Sequence, residues 1–296
     1  MSSSQGHAPE IDQVTGTATT GHSWDGIAEL NTPLPKWWLW IFYATIVWAF
    51  GYFVVYPAWP LVSGYTQGVF GWSSRAAVTA DVEELKKFRS GNNAKLAAMP
   101  LADVAKDPQM LSFAQAQGKA AFGDNCAPCH GAGGGGAVGY PNLNNDDWLW
   151  GGKIDQIEQT IKFGVRSAHA ETRAGAMTPF GTGSSPILKK EQIESVADYV
   201  LALSGQQVDA AKAAAGKPVY AENCAVCHGD EGKGNQDLGA PNLTDGIWLY
   251  GKDRATIVHA VVNGRGGVMP NFAGRLDDAT IKSLAVYVHT LGGGVK

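Results

Sequence analysis

Cysteine is scarce in this chain: there are four in 296 residues, and all four fall inside two copies of one short string. None remains for a disulfide, so the count does not argue for an oxidised, stapled scaffold. A basic stripe is missing too. With 23 Lys and Arg against 27 Asp and Glu the formal net charge is −4, a balance that argues against a nucleic-acid partner. Long apolar runs are absent with one exception, so at most one membrane span is expected. What is abundant is glycine, at 38 residues, and tryptophan, at ten. The length allows about two domains.

The four cysteines lie in Cys-Ala-Pro-Cys-His, Cys126–His130, and Cys-Ala-Val-Cys-His, Cys224–His228. C-x-x-C-H is the attachment string of c-type haem. Two thiols one helical turn apart add across the two haem vinyl groups, and the adjoining histidine becomes the proximal iron ligand. A thioredoxin-like dithiol would lie beside a βαβ pattern, and neither copy does. A single four-cysteine zinc site would leave both histidines unexplained. Two covalently bound c-type haems are therefore expected, on Cys126 and Cys129 and on Cys224 and Cys227, in a chain that moves electrons.

The one apolar run is WWLWIFYATIVWAFGYFVVY, residues 37–56, with no charge in 20 residues. At about 1.5 Å per residue it matches a bilayer's hydrocarbon core. Trp37, Trp38 and Trp40 mark one end and Tyr52, Tyr56 and Trp59 the other, as interfacial aromatics do. The preceding segment is long and acidic, and no convincing small-residue cleavage site follows, so an uncleaved anchor is expected rather than a signal peptide. Flanking charge orients it weakly. Bacterial c-type haem is attached outside the inner membrane, which places the N-terminus in the cytoplasm and residues after about 60 in the periplasm. Asp25 and Glu29 suit a partner-binding arm, with disorder expected before Gly21.

The two haem regions repeat. Residues 118–131 match 216–229, residues 141–151 match 241–251, and residues 192–203 match 280–291. Such a repeat denotes two copies of one domain, each small enough to need the apolar mass of a buried haem. Helices are expected rather than strands: an opening helix ending at each attachment string, a middle helix (153–163; 253–262) and a closing amphipathic helix (190–203; 277–291). A spacer helix is expected to begin at 79. The expected fold is mainly α, with one N-terminal transmembrane helix and two tandem domains that resemble class I cytochrome c domains. Its parts are a cytoplasmic arm (1–36), the span (37–56), a periplasmic linker with a spacer helix (57–107) and two cytochrome domains (108–205; 206–296).

The G-x-x-x-F/Y, C-x-x-C-H and P-N-L strings resemble class I cytochromes c. That resemblance implies that each domain's two terminal helices cross at a glycine, Gly118 or Gly216, with Tyr199 and Tyr287 as the partners. It also implies that the carbonyls of Pro141 and Pro241 accept the histidine Nδ1–H. Trp148, Trp248, Arg166 and Arg265 could bond the propionates; core tryptophans and solvated arginines are the competing reading.

One methionine follows each attachment string within its own copy: Met177 after His130, and Met269 after His228. Both lie in Gly/Pro-rich loops at matching positions, roughly where the resemblance expects the distal ligand. His130, Met177, His228 and Met269 are thus the expected metal ligands. A thioether raises the reduction potential and fills the sixth position, so electron transfer is favoured over oxygen chemistry. His169, His259 and His289 compete as distal ligands but are not repeat features, and surface positions are expected for them.

The segment from Thr19 to Ala49, followed by YPAWP, is similar to the membrane-entry segment of the dihaem CcoP/FixP subunit of cbb3-type cytochrome c oxidases. The resemblance covers the whole chain. It implies an electron-transfer subunit of an oxidoreductase complex, with no active site of its own. Its donor would be a cytochrome c or a cytochrome bc complex. Its partners would be a monohaem cytochrome c subunit and a haem–copper catalytic subunit, in a bacterial inner membrane. A membrane-anchored dihaem cytochrome c peroxidase and the cytochrome subunit of a quinone-reducing dehydrogenase are the alternatives.

Overall fold

The computed structural model describes residues 10–294; the first nine residues of the arm and the last two of the chain lie outside the described residues. Two compact units divide at Lys86/Lys87, and each is built differently.

Of the disorder expected before Gly21, the first nine positions lie outside the described residues, and from Glu10 the chain is ordered: Ile11 bridges Ala18, and the Asp12 N–H bonds Thr17 O at 2.9 Å. β1 (Thr19–Trp24) and β2 (Ile27–Leu30) form an antiparallel hairpin in which Trp24 pairs with Ile27 and Thr19 with Leu30. Asp25 and Gly26 make the turn at φ 49° and 86°, the two left-handed residues that a tight hairpin requires and that Asp-Gly supplies. α1 (Lys36–Val55) follows, and it has no buried residue. Its length and composition suit a membrane span. Residues 68–70 then fold back on the end of α1, where the N–H groups of Val69 and Phe70 reach the carbonyls of Val54 and Val55 at 2.9 and 3.1 Å. Orphan carbonyls of the last turn are satisfied this way. Between them β3 (Pro60–Leu61) and β4 (Gly64–Tyr65) make a second, minimal hairpin.

α2 (Ser74–Ala98) begins five residues before the expected start, because Ser73 Oγ accepts the Ala76 N–H at 3.1 Å and caps the helix earlier. In the second unit α2 ends against α3 (Leu101–Val104). There follow α4 (Pro108–Asn125), α5 (Ala127–His130), α6 (Ile154–Phe163) and α7 (Lys190–Leu203) from the first copy. The second copy supplies α8 (Ala210–Asn223), α9 (Ala225–His228), α10 (Arg254–Asn263) and α11 (Asp278–His289). Caps set their starts: Asp107 and Asp209 each accept two backbone N–H groups ahead of α4 and α8, and Asp253 and Asp277 accept one each.

The copies do not pack as the repeat suggests. α11 of the second copy packs on α4 and α6 of the first, and α7 of the first copy packs on α8 and α10 of the second. The chain thus forms two bundles, α4–α6 with α11 and α7–α10, and neither coincides with residues 108–205 or 206–296. A Cβ on Gly118 would lie 2.7 Å from Tyr287 Cβ, and one on Gly216 would lie 2.9 Å from Tyr199 Cβ. The glycine crossings are therefore present, with the closing helices exchanged. Connectivity is one reason. Residues 204–209 are too few to carry the chain far, so α7 and α8 pack as sequence neighbours. Each bundle has its own apolar core. Leu96, Val104, Phe122, Ile161, Phe272 and Leu284 are central to the first, and Val196, Leu201, Tyr220, Ile257 and Val261 to the second.

Candidate haem-binding site

At each attachment string one tight helical turn presents the ligands. Cys129 and His130 N–H groups both reach the carbonyl of Cys126, at 3.1 and 2.9 Å, and Cys227 and His228 repeat this on Cys224 at 3.1 and 3.0 Å. Cys129 and Cys227 are exposed while Cys126 and Cys224 turn inward. Burial pushes each inward thiol up to about 11, with the neighbouring cysteine adding to the effect. Both therefore stay protonated near neutral pH.

Each histidine is aimed by the loop that follows. His130 Nδ1 lies 2.9 Å from Pro141 O, and His228 Nδ1 lies 3.0 Å from Pro241 O. A carbonyl there requires Nδ1–H, which leaves Nε2 unprotonated for a metal. Burial lowers the His228 pKa, opposed by the Pro241 carbonyl, and this favours the neutral ring that ligation needs. The loops close identically: Gly136 and Gly234 N–H groups bond the carbonyls of His130 and His228, both at 2.8 Å.

Cys224, Cys227, His228, Trp248, Arg265 and Met177 share one cavity of about 840 Å³. The distal candidate in the cavity of His228 is thus Met177, from the other copy, and not Met269. Met269 instead packs against the first bundle's core, which contains Cys126. Short backbone ladders place both methionines. Met177 pairs with Arg265 at the exit of α10, and Met269 with Val165 at the exit of α6. The expectation that each copy supplies its own methionine is corrected here, for the same reason as the helices: each methionine loop leads into an exchanged closing helix. His169, His259 and His289 do not line the cavity. His169 packs at a tilt against Phe163, 4.7 Å between ring centres.

The cavity suits a haem on its own chemistry. Among the described residues two donors that line it, Trp248 Nε1 and Arg265 Nε, are buried and bond no protein acceptor, and Trp148 Nε1, against the first bundle's core, is in the same state. Buried donors are ordinarily satisfied, and propionates are the acceptors these could take. Arg265 is steadied 4.3 Å above the Tyr250 ring. Arg166 differs from the expectation. It donates from Nε to Gly267 O at 2.6 Å and from Nη1 to Gly175 O. Those carbonyls stand two residues ahead of Met269 and Met177, so one side chain ties both methionine loops. The signal missed in the sequence is that Arg166 aligns with Gly266, so it has no counterpart in the second copy.

Paired C-x-x-C-H turns with carbonyl-aimed histidines and buried, unanswered donors define a cytochrome c, a class that transfers electrons rather than transforming a substrate. Comparison with known proteins narrows the class. The family described as "Cytochrome c" matches residues 115–204, "Cytochrome C oxidase, cbb3-type, subunit III" matches 211–288, and "N-terminal domain of cytochrome oxidase-cbb3, FixP" matches 16–63. The chain is 62% identical over 289 residues to the cbb3-type cytochrome c oxidase subunit FixP of Azorhizobium caulinodans, covering 97% of each. It is 59% identical to FixP of Bradyrhizobium diazoefficiens, covering 96% of this chain and 98% of that one. It is 52% identical to CcoP of Cereibacter sphaeroides, covering 93% and 95%. The chain belongs to the FixP/CcoP family of cbb3-type cytochrome c oxidase subunits: it is a membrane-bound, electron-transfer subunit of an oxidoreductase complex.

Proposed function

We propose that this subunit passes electrons through two covalent c-type haems with crossed ligation, one iron held by His130 and Met269 and the other by His228 and Met177. The observation that carries the reading is the shared cavity of His228, Cys224, Cys227 and Met177. A haem bound there would supply a one-electron centre, and a thioether ligand from Met177 would raise its potential. The chain's own residues do the rest. Pro141 and Pro241 carbonyls fix the imidazole rings and raise their basicity. Trp248 and Arg265 offer N–H groups to the propionates, and apolar walls keep water from the iron.

In this proposal a cytochrome c or a cytochrome bc complex is the donor, and electrons leave for the monohaem and haem–copper subunits. The bilayer holds residues 37–56, the arm 1–36 faces the cytoplasm, and the linker 57–107 and both cytochrome copies, 108–205 and 206–296, are periplasmic. No nucleic acid takes part. Co-purification of the chain with a haem–copper subunit in mild detergent, with oxygen uptake driven by reduced cytochrome c, is the expected result; a quinoprotein or flavoprotein neighbour would refute it.

The crossed ligands have their own test. In chains retaining one attachment string, Met269→His lowers the midpoint of the Cys126/Cys129 haem and Met177→His that of the Cys224/Cys227 haem. The reverse assignment would restore ligation within each copy. Carbon monoxide binds neither ferrous haem if both methionines ligate, and ready binding would favour the peroxidase reading.

A further inference from the structure

The two copies are so alike that the crossings themselves cannot choose a partner. Gly118 meets Ser283 and Tyr287, and Gly216 meets the corresponding Ser195 and Tyr199. A chain with each closing helix returned to its own copy would present the same glycine, serine and tyrosine at both crossings. Something else must select the exchanged arrangement.

The difference lies at two aligned positions. Asp198 on α7 aligns with Val286 on α11, and Arg254 at the start of α10 aligns with Ile154 at the start of α6. In the second bundle Arg254 Nε and Nη2 bond Asp198 Oδ1 and Oδ2 at 2.8 and 3.0 Å. Asp198 is only 4% exposed, so this bidentate pair is what makes its burial tolerable. In the first bundle the same place is apolar: Ile154 packs on the core that contains Val286. Returning the helices would set Asp198 against Ile154 and Val286 against Arg254, leaving a buried carboxylate without a partner. The neighbouring positions act in the same sense. Lys282 donates to Ala97 and Met99 carbonyls, both at 2.7 Å, at the end of α2. Its counterpart is Glu194, an anion that would be repelled by those carbonyls.

We infer that the Asp198–Arg254 pair, with Ile154 and Val286 as its apolar counterpart, selects which closing helix each attachment site receives. It therefore also selects which methionine reaches which iron. This rests on the crossed ligation proposed above. Selectivity here is a difference between two packings, so the ion pair need not add net stability to act.

The test uses the full, haem-loaded chain in mild detergent, with a protease recognition sequence placed in the 204–209 connection. Cleavage leaves one covalent haem on each piece, so both are followed by haem absorbance on size exclusion. In the parent the exchanged helices keep the pieces together. Asp198→Val combined with Val286→Asp moves the acid to α11, and the pieces then separate. Asp198→Val with Arg254→Ile removes the discriminator while keeping an apolar contact, and yields a mixture. The inference is overturned if Asp198→Val/Val286→Asp stays wholly associated. Should that chain fail to retain haem, complete association of Asp198→Val/Arg254→Ile overturns it equally. Separation of the parent's pieces would instead overturn the crossed ligation itself.

Discussion

Arg166 does work that its place in the sequence conceals. It adopts φ 51°, a left-handed conformation unusual for a side chain of this size, and from there spans Gly175 and Gly267. Burial lowers its pKa, yet an arginine stays charged throughout the working range. Arg166→Ala leaves two carbonyls without their donor, a loss of about 2 kcal/mol for bonds to a charged group. Because the carbonyls precede different methionines, the ferric Met–haem band of both haems should fade together, at a lower temperature than in the parent. Arg166→Lys should not rescue it, since one ammonium cannot reproduce the planar fork. Loss at a single haem would contradict the shared tie.

Among elements, α7 and α10 are joined by a carboxylate whose pKa is held below the usual range, chiefly by its hydrogen bond to Arg254. A depressed folded pKa contributes stability above the ordinary carboxylate value, lost as pH falls through the folded one. The acid limb of denaturation, followed by haem absorbance against pH, should be shallower in Asp198→Asn than in the parent. A second junction is the end of α2. Lys282→Met removes donors from the carbonyls of Ala97 and Met99, worth about 1–3 kcal/mol as charge-assisted bonds. Limited proteolysis should then cut near residue 98 first, while the second bundle's unfolding is unchanged. At this scale the sequence was readable where local chemistry rules. The middle helices expected at 153–163 and 253–262 are found at Ile154–Phe163 and Arg254–Asn263, and the closing helix expected at 190–203 is found at Lys190–Leu203. The hairpin at Thr19–Leu30 was not among the expected elements, its strands of six and four residues being too short for a firm alternation, although Asp25-Gly26 is a turn signal of its own.

Across the molecule, α1 belongs to the unit ending at Lys86 and both bundles to the unit that follows. A chain truncated before residue 60, supplied with a cleavable signal, should therefore yield a water-soluble protein with two haems per chain by pyridine haemochrome assay. Retention in membranes would show a second attachment. The sequence by itself determined the chemistry of this protein: C-x-x-C-H turns, prolines placed to aim the histidines, methionines in paired loops and one apolar span. These are set by spacing along a few residues, and spacing is what a sequence records. Which methionine shares a cavity with His228 was decided only in the folded chain. Two nearly identical copies offer each closing helix two matching surfaces, and a short connection and one ion pair between the buried Asp198 and the more exposed Arg254, 56 residues apart in sequence, tip the choice through contacts that no local pattern contains.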